Sequence, residues 1–379
     1  MWKPVFVEQR AEGRDNNFNL LRMAAASAVL VSHAFPLTLG PAATEPLFVS
    51  TGYKLGTTAV TIFFAVSGFF ITKSFDRRNS LPDFLLARVA RIYPALIVVL
   101  MLSAFVVGPL LTSLSLHGYF SSLHSWTYVP RNLLLRHQQW ALPGLFTTAP
   151  AGPAVNGSLW TLYSEVSCYG LVVLFGLLGI SRPRIFPIVL CAAVALVFLV
   201  PQSEGGGLHH AAATLSLPFA LGAAAYIYRK YVPVSAGLAV AIFALAAICR
   251  STTVYPALHA LALSYGALWF GFARIPALRH YNLLGDYSYG MYIYAFPIEQ
   301  IFATTVRPGS PLAMVAFSFP VTLLCAMTSW TWIESPALAK RHLIAAKWRL
   351  RRLRGQSVGS TEGVPVRDAG DQSTQSARR

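Results

Sequence analysis

Leu20-Leu-Arg-Met-Ala-Ala-Ala-Ser-Ala-Val-Leu-Val-Ser-His-Ala-Phe-Pro36 is an apolar run that carries two ionisable side chains, Arg22 and His33. Its length suits a helix crossing most of a bilayer. The two side chains lie close to three helical turns apart, so they face the same way, roughly 16 Å from each other along the axis. An ionisable group inside a span is expensive unless it faces other helices or water. Two on one face imply a polar path down the helix.

Similar runs recur along the chain. It has 379 residues, of which 55% are hydrophobic and 12% charged, against about 25% charged in a soluble domain. Mean hydropathy is +0.53. Apolar segments fall at about 20–39, 56–73, 92–113, 159–180, 185–200, 211–228, 232–249, 255–273, 284–305 and 311–333. They are continuous rather than alternating, which predicts helices and excludes barrel strands. The expected fold class is all-α, a polytopic membrane helix bundle of about ten transmembrane helices. Residues 1–19 are an N-terminal segment, 20–340 the transmembrane domain, and 341–379 a tail that is basic and then disordered. The long connection 114–158 has room for a re-entrant piece.

The formal charge of +16 is distributed by topology. With an inside N-terminus, all Lys and Arg except Lys54, Arg131, Arg136, Arg250 and Arg307 fall on one side. That bias predicts both termini cytoplasmic, and it assigns the basic charge to anionic lipid, not nucleic acid. Cys168, Cys191, Cys249 and Cys325 are scattered singly within the spans and read as small core residues. No metal-ligand spacing is present. The first segment is preceded by polar residues and interrupted by Arg22 and His33, unlike a cleavable signal core.

Four clusters carry chemistry. In the first, Arg22 lies at the cytoplasmic boundary, where a snorkelling anchor is the plain alternative. His33 lies deep, and a buried imidazole is suited to proton transfer. The second, Arg88-Val-Ala-Arg91-Ile-Tyr-Pro94, leads into the third span with two arginines on one face. It serves either positive-inside anchoring or, with Arg22, a phosphate site.

The third, Gly157-Ser-Leu-Trp-Thr-Leu-Tyr-Ser-Glu165-Val-Ser-Cys-Tyr169, brings Ser158, Glu165 and Tyr169 onto one face. Glu165 sits at the outer-half depth of His33, so it either orients that histidine or pairs with a nearby basic residue. The fourth, Leu284-Gly-Asp-Tyr-Ser-Tyr-Gly-Met-Tyr-Ile-Tyr-Ala-Phe-Pro-Ile-Glu299, is too polar to face lipid and suits a hydroxyl-rich ligand. Glu334 reads as a surface or interhelical pair.

In this order, the clusters resemble the acyltransferase-3 family of integral-membrane O-acyltransferases, over about residues 15–340. The resemblance rests on the Arg22–His33 spacing, Phe63-Phe-Ala-Val-Ser-Gly-Phe-Phe-Ile71, Arg88-Val-Ala-Arg-Ile-Tyr-Pro94 and Ser158-Leu-Trp160-Thr-Leu-Tyr-Ser-Glu165. Leu284-Gly-Asp-Tyr-Ser-Tyr-Gly290 and Trp332-Ile-Glu-Ser-Pro336 complete it. It implies transfer of an acyl group, commonly acetyl from acetyl-CoA, to a hydroxyl of an exopolysaccharide, O-antigen or lipid-linked glycan in a bacterial inner membrane. The acyl-CoA is a donor substrate; no bound cofactor is implied.

On that basis His33 and Glu165 are the catalytic candidates and Arg22, Arg88 and Arg91 the donor-binding ones. Ser158, Trp160, Tyr169, Asp286, Tyr289 and Tyr292 are the acceptor-binding candidates. His33 acts as general base or carries a transient acyl group. Many relatives have a histidine two residues before the proline of the ninth span, where this chain has Ala295. The rival readings are a transporter and a non-catalytic partner in polysaccharide export. A reporter active only in the cytoplasm, fused after Gly355, should be active. An inactive fusion would overturn the expected topology.

Overall fold

The computed structural model describes residues 4–13, 16–78, 80–200 and 208–341. The described residues are helical apart from turns and one isolated bridge, Phe6 with Pro233. Each apolar segment holds a long helix. These are α1 (Phe18–Leu39), α2 (Leu55–Asp76), α3 (Leu81–Leu102), α4 (Trp160–Leu177) and α5 (Phe186–Leu199). They continue with α6 (Leu208–Ile227), α7 (Ala236–Ile248), α8 (Tyr255–Phe272), α9 (Ser288–Thr305) and α10 (Pro311–Ser329).

Among the described residues, five stretches are long and apolar enough to cross a membrane by themselves: α1, α2, α3 as continued to Leu111, α4 with its leading turn, and α10 as continued to Arg341. A sixth arises if α8 and the helix Pro276–Asn282, bent by 83°, form one span. At 14 and 13 residues, α5 and α7 reach only about 20 Å, short of the roughly 30 Å hydrocarbon core.

Two helix ends differ from the expected ones. α3 begins at Leu81, where the Ser80 hydroxyl caps it by accepting the Asp83 N–H and Pro82 occupies its first turn. Arg88 and Arg91 therefore lie well inside a helix rather than ahead of it. Their charges depress local hydropathy, although Phe84 and Ala87 on the same helix are already buried. At the other end, α10 runs on through a π-helical turn, Trp330–Glu334, to Arg341. Such turns shift a helix face by part of a residue and recur at functional sites. This one leaves Glu334 inside the bundle, 1% exposed.

Connection 114–158 contains two short helices, Leu116–Ser121 and Leu123–Leu133. The second buries Ser125, Tyr128 and Asn132 and leaves Leu123 and Trp126 exposed. Of the cysteines, Cys168 is buried, but Cys191 is exposed on α5 and is not a core residue. The tail 342–379 lies outside the described residues.

The start of α1 is fixed tightly, and that places Arg22. The Asn17 side chain donates to the carbonyls of Phe270 (2.9 Å) and Ala273 (2.8 Å) at the end of α8. One residue on, the Phe18 ring packs edge-on against Phe70 and Phe272 at 4.8 and 4.9 Å between centroids. The N-terminal segment is held by backbone bonds from Val7 to Val232 and from Val234 to Val5, beside α6 and α7.

α2 and α6 cross most closely. A Cβ on Gly68 would sit 2.0 Å from the Phe219 carbonyl oxygen, and one on Gly222 would sit 1.9 Å from that of Ala65. Each glycine thus lies under the other helix's backbone, the small-residue contact by which membrane helices gain packing. Gly68→Leu or Gly222→Leu should lower the melting temperature of the detergent-solubilised protein by about 3–10 °C. Gly170, with open space around it, is the control position. Unchanged melting would show that this crossing does not constrain the bundle.

Candidate active site

Four helices meet on two arginines and two carboxylates. Arg22 comes from α1, Arg91 from α3, Asp286 from the turn before α9, and Glu334 from the π-turn of α10. One Asp286 oxygen lies 2.8 Å from Arg91 and 3.4 Å from Arg22. Arg91 also reaches Glu334 at 3.4 Å. Each acid is oriented by a hydroxyl: Ser288 donates to Asp286 at 2.6 Å, and Ser329 to Glu334 at 3.1 Å. Such mutual satisfaction is what makes desolvated charges tolerable, since removing one partner strands the rest.

Arg88 is placed differently. Its guanidinium stands over the rings of Phe84 and Tyr169 at 5.7 and 5.8 Å. Its Nε is buried without a hydrogen-bond partner. Among the described residues, no ion pair within 4 Å involves it. Of the three arginines expected to act together, two are neutralised by carboxylates and one is held by aromatic faces.

Two cavities adjoin this cluster. The inner one, about 130 Å³, is lined by Arg22, Arg88, Arg91 and Glu165, with Tyr169, Tyr289, Tyr292, Thr161 and a wall of phenylalanines including Phe63, Phe64 and Phe70. The outer one, about 420 Å³, is lined by Lys73, Arg77 and Arg341 besides the same three arginines, and by Asp286 and Trp330. Arg22, Phe70, Arg88 and Arg91 line both. The result is a strongly basic mouth over an apolar, tyrosine-walled chamber. At the rim, Arg77 is paired with Glu12, and Lys73 donates to the Ala11 carbonyl. Beside Arg77, the exposed Glu12 carboxyl is held below the usual carboxylate range.

α9 lays out the rest in order. Asp286 precedes it at the mouth, and Tyr289 and Tyr292 line the inner chamber. One turn further, Phe296 packs edge-on against the His33 imidazole, with 5.1 Å between centroids. Next comes Glu299, whose Oε2 lies 3.7 Å from His33 Nδ1. Arg22 meets Asp286 and, eleven residues on, His33 meets Glu299, so α1 and α9 run in parallel with two rungs between them.

The acceptor candidates divide. Tyr169, Tyr289 and Tyr292 face the chamber with their hydroxyls engaged. Tyr169 donates to Glu165, Tyr289 donates to the Ile92 carbonyl at 2.8 Å, and Tyr292 shares 2.6 Å with the Thr161 hydroxyl and donates at 3.0 Å to the Ser158 carbonyl. Ser158 is buried and supports Tyr292 through its backbone, while its own hydroxyl has no partner. Asp286 belongs to the arginine cluster. Trp160 lines neither cavity and is 38% exposed on the outside of α4; His33 also lines neither cavity and is tied to the site through α1 and α9.

Glu165 is the larger correction. It lines the chamber with the arginines and accepts from Tyr169, and the carboxylate beside His33 is Glu299. Glu299 ends the fourth cluster of the sequence and carries no role in the expected site. The signal was available: a carboxylate seven residues after Tyr292, inside an apolar segment, demands a partner. Lys73, Arg77 and Arg341, in sequence no more than part of the positive-inside bias, line the mouth. Ala295 is fully buried in a cluster with Ala26, Leu30, Met291 and Ala326.

Residues 15–331 match the family described as Acyltransferase domain, acyltransferase-3. The chain belongs to the acyltransferase-3 family. It is similar to an O-acetyl transferase of Shigella phage Sf6, 29% identical over 336 residues, covering 86% of this chain and 97% of the relative. It is also similar to Nodulation protein 10 of Rhizobium leguminosarum bv. viciae, 34% identical over 174 residues, covering 42% of this chain and 44% of that one. No solved structure matches significantly. The protein is a membrane acyltransferase, and the arginine cluster with its chamber and the His33 rung is its candidate active site.

The shared Asp286 makes a testable coupling. Arg91→Ala and Asp286→Ala should each destabilise the solubilised enzyme by about 3 kcal/mol, through the partner left charged and buried. The double variant should lose clearly less than the sum of the two. Strict additivity in thermal melts would show that the two groups are independent.

Proposed function

We propose that this enzyme takes an acetyl group from acetyl-CoA on the cytoplasmic side of a bacterial inner membrane. It passes that group to a hydroxyl of a carbohydrate acceptor: an exopolysaccharide, an O-antigen or a lipid-linked glycan. The observation that carries this reading is the basic mouth opening directly into a narrow chamber. A donor with a phosphorylated nucleotide at one end and a thioester at the other has the same division. Lys73, Arg77 and Arg341 suit the phosphates, since guanidinium and ammonium groups recognise phosphate oxygens strongly. The phenylalanine and tyrosine walls suit the slender, uncharged arm behind them. The name of the phage relative, O-acetyl transferase, agrees with acetyl as the group and oxygen as the atom acylated.

In this reading Arg88, the arginine without a carboxylate, faces the donor, while Arg22 and Arg91 shape the passage under Asp286 and Glu334. Tyr169, Tyr289, Tyr292 and the polar end of the chamber present oxygens to the acceptor or to the thioester arm. His33 acts as general base. Its Nε2 accepts the proton of the acceptor hydroxyl, whose oxygen attacks the thioester carbonyl. The C–S bond breaks, and the imidazolium returns the proton to the departing CoA sulfur. The products are an O-acetyl ester and free CoA. A bell-shaped dependence on two groups is not required, since one imidazole serves both proton transfers.

In inverted membrane vesicles with labelled acetyl-CoA, His33→Ala at normal protein level should abolish transfer to the glycan. Arg88→Ala should raise KM for acetyl-CoA about tenfold and leave the acceptor KM within about twofold. Persistent acetyl transfer by His33→Ala would sink the base assignment. An unchanged acetyl-CoA dependence in Arg88→Ala would remove this arginine from the donor site. A transporter would show glycan or proton flux without formation of an ester.

A further inference from the structure

Among the described residues, no hydrogen bond explains Glu299. It is 0% exposed, and neither carboxylate oxygen has a hydrogen-bond partner. Its neighbour Gln300 does have structural work, donating to the carbonyls of Gly152 (2.9 Å) and Ala154 (2.7 Å) and so fixing the loop over α9. A carboxylate buried mid-helix is costly where a leucine or glutamine would pack as well. The group that faces it is the His33 imidazole, with Nδ1 3.7 Å from Oε2. That nitrogen too is buried and lacks any other partner. The Phe296 ring, edge-on at 5.1 Å, limits rotation of the imidazole away from Glu299.

We infer that Glu299 is the positioning residue of the reactive histidine. The inference rests on the reading that His33 is the base. Oriented toward Glu299, Nδ1 carries the ring's proton, and Nε2 presents its lone pair on the opposite side of the ring. When the acceptor hydroxyl yields its proton to Nε2, the imidazolium forms next to a carboxylate instead of in bare hydrocarbon. When the CoA sulfur takes that proton, the ring returns to its starting tautomer. Glu299 neither gains nor loses a proton over the cycle and touches neither substrate. This arrangement also frees Glu165 from any duty to His33 and leaves it with Tyr169 in the chamber.

The test compares Glu299→Gln, Glu299→Asp and His33→Ala in the full-length protein, in native membranes, at matched protein level. Glu299→Gln should lower kcat about 100-fold or more, with KM for acetyl-CoA within about twofold, because the donor mouth is untouched. Glu299→Asp should recover at least about tenfold of that loss by restoring the charge. A second readout needs no turnover: the rate at which diethyl pyrocarbonate modifies His33, followed by mass spectrometry of its peptide. It should change severalfold in Glu299→Gln, with the other histidines of the chain serving as internal standards. If His33→Ala abolishes transfer while Glu299→Gln keeps kcat within about threefold and His33 reactivity unchanged, the positioning role is overturned and the base survives. If His33→Ala remains active, the base reading itself fails. If neither Glu299→Gln nor Glu299→Asp accumulates in the membrane, the carboxylate is structural and the inference is likewise overturned.

Discussion

The bridging of two arginines by Asp286 is the interaction on which the bundle depends. Three helices enter the same region with guanidinium groups or packed against them, and without a carboxylate the positive charges of Arg22 and Arg91 would repel in a poorly solvated place. Asp286 removes that repulsion at one point, 2.8 Å from one partner and 3.4 Å from the other. It sits two residues ahead of α9, so it also ties the position of that helix to α1 and α3. Glu334 completes the balance from α10. Closing these charges on each other leaves the tyrosines and phenylalanines of four helices to wall the chamber beside the cluster.

Given that fixed end, the α1–α9 seam sets everything deeper. It pairs small residues, Ala26 with Ala295 and Ala34 with Ala303, among larger ones such as Leu30, Met291, Leu37 and Phe296. On its other side α9 is held against α10, where a Cβ on Gly290 would stand 2.7 Å from the Ala326 Cα. Small side chains bring parallel helices close, and close parallel helices bring groups of equal depth together. The Arg22–Asp286 rung therefore dictates that His33 meets α9 near Glu299. A bulkier residue at position 295 would push apart this seam. The alanine there is part of the geometry that lets an acid from the next turn of α9 reach the imidazole.

Much of this was legible in the chain itself. Each apolar segment holds a helix, although five, or six with the bent pair, are long and apolar enough to cross a membrane among the described residues, and Arg22 and His33 both face α9. The errors have a common origin in α3. Reading its start from hydropathy put Arg88 and Arg91 at the membrane edge, because two guanidiniums make a segment look like a loop. With the helix starting at Leu81, the same arginines reach inward and meet Glu165 in the chamber. Glu165 is engaged by Tyr169 there, and the carboxylate that faces His33 is Glu299. Trp160 failed for a different reason. A motif fixes which residues are neighbours in sequence, while helix rotation decides which of them points inward, and Ser158 and Thr161 take that place.

The division of labour among the cations follows from their partners. Arg22 and Arg91 are each committed to a carboxylate from another helix, so a ligand's phosphate would have to compete with a buried acid for them. Arg88 has only aromatic faces, which attract a cation but do not neutralise it. Arg77 is committed too, but to Glu12, an exposed acid on the N-terminal segment. An exposed pair contributes at most about 1 kcal/mol, so it yields to a multiply charged anion far more readily than the buried pairs do. The mouth thus presents a gradient of availability. Charges at the rim can be exchanged and those at the neck are fixed, while Arg88, with no ion pair within 4 Å among the described residues, marks where a substrate's negative charge is most strongly favoured.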